Sequence, residues 1–215
     1  MSHDDFAFEP VKGLPERPPE HERILWQGRP DTLMLAREAY KINWITGYFV
    51  VIVGWRASVG AADAGLAGAV AFGLPYALLW LASMTIILLL AWVAARSTVY
   101  TVTTARVAMR IGAALTVTLN LPFRQIANAD LSVRKNGTGT ISLETMGETK
   151  FSYLILWPHC RPGHVHITKP ALRCVPDAAK VAEILADAAE TRVSQPVVER
   201  KSSAPTSTGD MIAAE

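Results

Sequence analysis

Four side chains able to hold a metal, His159, Cys160, His164 and His166, fall within one short stretch. Imidazole and thiolate bind zinc when four of them converge tetrahedrally. Here Pro162-Gly163 separates the two pairs and leaves no spacing that would force convergence. The stretch Leu156-Trp157-Pro158-His159-Cys160-Arg161-Pro162-Gly163 reads instead as a proline-fixed loop that offers polar side chains to a partner. No Gly-rich phosphate cradle, no Gly-x-Ser-x-Gly turn and no carboxylate pair set in an apolar run occurs. No catalytic, metal or cofactor residue is therefore expected. The histidines all lie outside the apolar runs, which excludes axial haem or pigment ligation by a membrane-embedded imidazole of this chain.

The elements that would position this loop are of two kinds. From Ala64 to Ala95 there is no Asp, Glu, Lys or Arg, and about 20 apolar residues suffice to cross the roughly 30 Å hydrocarbon core of a bilayer. A second apolar run, Ile42 to Trp55, lies between Lys41 and Arg56 and reaches spanning length if those side chains snorkel and the helix continues to Ala62. The expectation is a membrane α-helical hairpin over 31–96, with spans at about 42–62 and 74–95. The rival is three spans, with an extra helix from Val59 to Leu74 broken at Pro75. Arg23, Arg29, Arg37 and Lys41 precede the first run and Arg96, Arg106 and Arg110 follow the second, so both flanks read as cytoplasmic and the protein as multi-pass. On that face Cys160 and Cys174 are expected as reduced thiols. Between the runs, Gly60, Ala64 and Gly68, and likewise Gly65, Ala69 and Gly73, are spaced four apart. They form small-residue ridges that suit a homodimer or a partner helix, or a small-residue loop by composition alone.

Residues 1–30 are proline-rich and read as an extended arm. Its apolar patch Ile24-Leu25-Trp26-Gln27-Gly28-Arg29-Pro30 should dock as a strand or clasp. Asp31 can cap a helix from Thr32 to Lys41 that runs on into the first span. After Arg96, Val99–Thr104, Arg106–Ile111, Leu115–Leu121, Ile126–Val133, Gly139–Thr145 and Lys150–Leu156 alternate and are separated by turn signals, the clearest being Asn136-Gly137. They predict an antiparallel curved sheet over 97–193. It is capped by a C-terminal helix from Ala178 to Arg192 whose apolar stripe is Val181, Ile184, Leu185 and Ala188. The tail 194–215 reads as disordered. With 21 basic and 19 acidic residues interspersed, nothing points to nucleic acid. Arg106, Arg110, Arg124, Arg134 and Lys135 could meet membrane lipids, but they form no dense cluster.

The segment Tyr100-Thr101-Val102-Thr103-Thr104-Ala105-Arg106-Val107, with Gly112 beyond it, resembles the opening of bacterial pleckstrin-homology (PH)-like domains that follow a two-span hairpin. The fold this implies is a membrane α-helical hairpin plus an α+β, mainly β, PH-like domain. Four further motifs, in order, resemble the photosynthetic reaction-centre assembly family of purple phototrophic bacteria. They are Phe8-Glu9-Pro10-Val11-Lys12-Gly13-Leu14-Pro15, Trp26-Gln27-Gly28-Arg29-Pro30, Leu156-Trp157-Pro158-His159 with Arg161-Pro162, and Leu172-Arg173-Cys174-Val175-Pro176-Asp177. That resemblance implies a non-enzymatic, self-associating factor in the inner (intracytoplasmic photosynthetic) membrane. Its partners would be reaction-centre and core light-harvesting antenna polypeptides. Trp26, Arg29, Trp157, His159 and Arg161 are the expected partner-binding residues, Trp and Arg being the types that dominate binding surfaces. The alternative is a membrane-surface lipid-sensing or scaffold protein that uses its PH-like domain.

Overall fold

The computed structural model describes residues 11–194 apart from 12, 15, 113–115, 148–150 and 164–167. The expected disordered tail 194–215, except for Ser194, which ends a helix, lies outside the described residues, as do the first ten residues of the arm and the pair His164 and His166.

Two antiparallel sheets carry the domain outside the long helix. The first is 4-stranded in the order β1 (Ile24–Gly28), β2 (Val99–Thr103), β3 (Arg106–Ile111), β4 (Val117–Pro122). The second is 3-stranded, β5 (Ile126–Val133), β6 (Gly139–Thr145), β7 (Ala171–Val175). The arm does dock as a strand: β1 pairs with β2 from Ile24 opposite Thr103 to Gly28 opposite Tyr100. Everything between these two neighbours in the sheet is therefore an insertion that starts and ends at one sheet edge. Gly137, at φ 80, turns the chain between β5 and β6 as the Asn-Gly pair predicts. Period-two positions Val107, Met109 and Ile111 of β3 and Ile141 and Leu143 of β6 meet Val181, Leu185 and Ala188 of α4 (Ala178–Ser194) in one core. Each fully buried aliphatic side chain there contributes ~1.5–3 kcal/mol.

The expected strand Lys150–Leu156 is not one. Its described part holds a single helical turn, α3 (Tyr153–Leu156), closed by Trp157-Pro158, whose peptide bond is cis. The run Tyr-Leu-Ile-Leu lacks the polar alternation of a half-buried strand, and Pro158 cannot donate to a ladder. The last strand of the second sheet is β7 instead, hidden in the sequence by Arg173 at its centre.

The insertion contains α1 (Thr32–Glu38) and α2 (Ile42–Ser97). Asp31 caps α1 as expected, its carboxylate accepting from the Met34 N–H at 2.8 Å. The helix does not run on into α2, because Lys41 adopts φ 56 and breaks it. α2 is long and apolar enough to cross a membrane, and only 11% of its most apolar stretch is buried inside the protein. Its backbone leaves helical values at Ala64 (φ −141) and Gly65 (φ 59), the second a positive φ that glycine adopts without steric cost. Across that break Gly60 and Gly68 approach so closely that a Cβ on either would strike the other's carbonyl, and Ala57 faces Gly73. Thr46 donates to Met84 Sδ at 3.3 Å. The small-residue ridges are thus used within the chain at Gly60, Gly68 and Gly73. Residues 57–73 are helical rather than looped, save at that break.

Candidate functional site

Both ends of α2 are held by the same corner of the domain. At its exit, the Thr98 hydroxyl donates to the Ala94 carbonyl at 2.7 Å, satisfying one of the acceptors a helix C-terminus leaves open. Thr98 Oγ1 also lies 3.0 Å from His159 Nε2. His159 Nδ1 lies 2.6 Å from the Tyr100 hydroxyl, which accepts from the Arg173 N–H at 3.2 Å. Counting donors fixes the protons. Tyr100 accepts from Arg173 and so gives its own proton to Nδ1; Thr98 gives its proton to Ala94 and so receives Nε2–H. One neutral imidazole completes a relay of hydrogen bonds from β7 to the last turn of α2. Burial, reinforced by the Arg173 charge, pushes the His159 pKa down to about 3, and burial pushes that of Tyr100 up. Both groups hold their protons fixed across ordinary pH.

His159 is 2% exposed. The expectation that it contacts a partner is therefore corrected: its ring is consumed by the relay. Cys160 is buried too, and its backbone bridges to Pro170 at the edge of the second sheet. Burial raises the pKa of the Cys160 thiol, and that of Cys174 goes up to about 11, so neither is a ready thiolate. Among the described residues no group of His, Cys, Asp and Glu is arranged to hold a metal ion.

The other expected site residues divide between separate places. Trp26 packs half-buried on the core, and with Arg29, Val99, Asp177 and Lys180 it walls a cleft of about 440 Å³. Trp157 is half-exposed and meets Tyr40 edge-on at 5.1 Å, just before α2 begins. Beside it Leu154 is 86% exposed and Ile155 is exposed as well. Arg161 pairs with Asp130 and lines a further cleft that shares no residue with the Trp26 cleft. Among the described residues, the clasp lines one of these clefts and the loop lines the other.

Residues 48–189 match the bacterial PH domain family, about two-thirds of the chain. The chain belongs to the bacterial PH domain family. This bacterial PH domain is completed from outside the matched region, since β1 lies upstream of residue 48. The chain is also 45% identical over 204 residues, 92% of its own length and 94% of the relative's, to an uncharacterized 23.7 kDa protein in the puhA 5′ region of Rhodobacter capsulatus. That relative fits the resemblance to the reaction-centre assembly protein PuhB of purple bacteria. No solved structure matches the chain.

Sequence reasoning missed Arg173 and the polar face around it. The signal was present in Asp130, Ser132 and Arg134 and in Thr140, Ser142 and Glu144, which alternate on β5, its following turn and β6.

Proposed function

We propose that this bacterial PH domain protein is a non-enzymatic, multi-pass assembly factor for the photosynthetic reaction centre and its core light-harvesting antenna. In this reading the two arms of α2, broken at Ala64–Gly65, each cross the inner membrane and the PH-like domain faces the cytoplasm. The observation that carries it is an extensive apolar surface that none of the described residues covers. Trp44, Val51, Leu66 and Leu79 on α2 are exposed, and at the foot of the helix so are Leu154, Ile155 and Trp157. A helix in lipid needs such a surface. A turn beside it does not, and a contiguous exposed apolar patch at that level suits the side of another membrane protein. The puhA-region relative supports a photosynthetic client, and the absence of a catalytic set from the residue pattern supports a binding role. Self-association and lipid contact are compatible with the same surface; nucleic acid is not a partner in this reading.

The test is purification of the tagged full chain from phototrophically growing cells in mild detergent, with subunit identification and an absorbance spectrum. Reaction-centre or antenna polypeptides should accompany it. The double change Leu154→Ser with Trp157→Ala should lower their yield at least threefold at unchanged membrane level. Equal yield would remove the turn from the contact. No client at all would favour the alternative of a membrane-surface lipid-sensing or scaffold protein, for which the cationic cleft beside Arg161 is the supporting observation.

A further inference from the structure

The face of the second sheet turned away from the core is polar, yet much of it is buried. Asp130 stands opposite Ser142 and Ser132 opposite Thr140 across β5 and β6, so all four share one face. Arg173 of β7 joins them, and Arg134 and Arg161 close the sides, around a cleft of about 430 Å³. Thr140, Ser142 and Arg173 are buried, Arg173 being only 4% exposed.

Two of the three guanidinium groups, those of Arg173 and Arg134, are incompletely answered among the described residues. Arg173 gives one Nη1 bond to the Pro158 carbonyl at 3.1 Å, but its buried Nε–H finds no acceptor among the described residues. Arg134 pairs through Nε with Glu38 at 2.9 Å, and its buried Nη1 has no acceptor either. Arg161 pairs with Asp130. Three cations thus face two carboxylates, with three hydroxyls beside them. A buried guanidinium left with unused donors is costly unless an anion completes it, and several forked donors suit an oxyanion with three or more oxygens.

The position of the cleft selects the anion. Glu38, which holds Arg134, is four residues before α2 begins, and Pro158, which holds Arg173, precedes the His159 that is tied to the last turn of α2. Both walls are therefore anchored at the two ends of the helical insertion, at the level where headgroups lie if α2 spans the bilayer. We infer that the Arg134, Arg161 and Arg173 cleft is a phosphate-oxyanion site filled by the headgroup of an anionic phospholipid. It fixes how the PH-like domain sits on the membrane. The inference rests on the membrane reading of α2 made above and not on the identity of any client.

The test uses the full chain in neutral-detergent micelles, titrated calorimetrically with short-chain phosphatidylglycerol, short-chain phosphatidylcholine and inorganic phosphate. Phosphatidylglycerol should bind at least tenfold more tightly than phosphatidylcholine. Arg134→Gln with Arg161→Gln should remove that preference while thermal melting stays cooperative. Arg161→Gln alone, at a partly exposed position, should weaken phosphatidylglycerol at least threefold and guards against misfolding of the double variant. Glu38→Gln, which breaks the ion pair but leaves the cation, should bind as tightly as the native chain or more so. Equal binding of the two lipids, or a preference untouched by the arginine changes, overturns the inference. Inorganic phosphate binding as tightly as phosphatidylglycerol overturns it in favour of free phosphate. Alkaline carbonate washing of native membranes separates the two failures: a chain that washes off ends the membrane reading itself, whereas a retained chain without headgroup preference ends only the headgroup site.

Discussion

His159 and Arg173 are neighbours in one buried layer, linked through the Tyr100 hydroxyl, and they are in opposite states. The imidazole is neutral and both its nitrogens are answered within the chain. The guanidinium is charged and its Nε–H finds no acceptor among the described residues. A buried polar group with all its bonds made locks a structure. One that keeps donors in reserve is better explained by a ligand. The difference separates a joint that holds the sheet to α2 from a site that waits beside it, although both come from the same loop and strand.

The largest effect should come from breaking the joint. His159→Ala leaves a void and strands the proton of the Tyr100 hydroxyl, while Thr98 loses the donor it accepts from, and should cost ~3–5 kcal/mol of domain stability. Denaturant unfolding of the full chain in detergent, followed by near-ultraviolet circular dichroism, measures it. A loss below ~1 kcal/mol would mean that the relay does not hold the domain together.

Acid should do the same by titration. His159 has its folded pKa lowered from 6.5 to about 3. Between those values the unfolded chain takes up a proton that the folded chain refuses, so stability from this group is fully present above pH 6.5 and is lost as pH falls toward 3. The slope approaches ~1.4 kcal/mol per pH unit at its steepest. A stability profile from pH 7 to pH 4 should show this slope in the native chain and lose that component in His159→Gln. Equal slopes in the two would assign the acid sensitivity elsewhere.

Tyr100→Phe is the finer cut. It keeps the ring in place and removes only the hydroxyl between Arg173 N–H and His159 Nδ1, so ~1–3 kcal/mol should be lost. Because Nδ1 then lacks its donor, the imidazole pKa should rise, and nitrogen-15 chemical shifts of His159 against pH would report it. An unchanged imidazole titration would refute the direction of the proton relay.

How much of this was legible in sequence depends on the kind of signal. Val107-Met109-Ile111 and Val181-Leu185-Ala188 announce a strand and a helix because their periods differ, and both are found where expected. The apolar stretch Ala64–Ala95 is legible from its lack of charge. The break at Ala64–Gly65 is not, because Gly and Ala recur throughout 57–73 and only the close approach of Gly60 to Gly68 distinguishes one turn among several. His159 stands out in the sequence for its chemistry, but its partners do not: Thr98 and Tyr100 lie 61 and 59 residues upstream, and nothing local marks them. Arg173 is visible in the sequence only as one residue of a motif, and it is the non-local pairing of β6 with β7 that puts it inside.

Arg173→Met is the change with the smallest expected effect on stability and the most to say about the comparison. Removing the guanidinium forfeits a charge-assisted bond to the Pro158 carbonyl, ordinarily worth ~1.5–3 kcal/mol. It also relieves the cost of keeping a cation buried with a donor unanswered, which is of similar size. Methionine fills comparable volume on the side-chain stem. The two terms should cancel to within ~1 kcal/mol in the full chain without added lipid, and phosphatidylglycerol, which stabilises the native chain by binding only the folded form, should no longer raise its melting temperature. A loss as large as that of His159→Ala would place Arg173 in the joint rather than in the site, and the distinction between the two neighbours would fall.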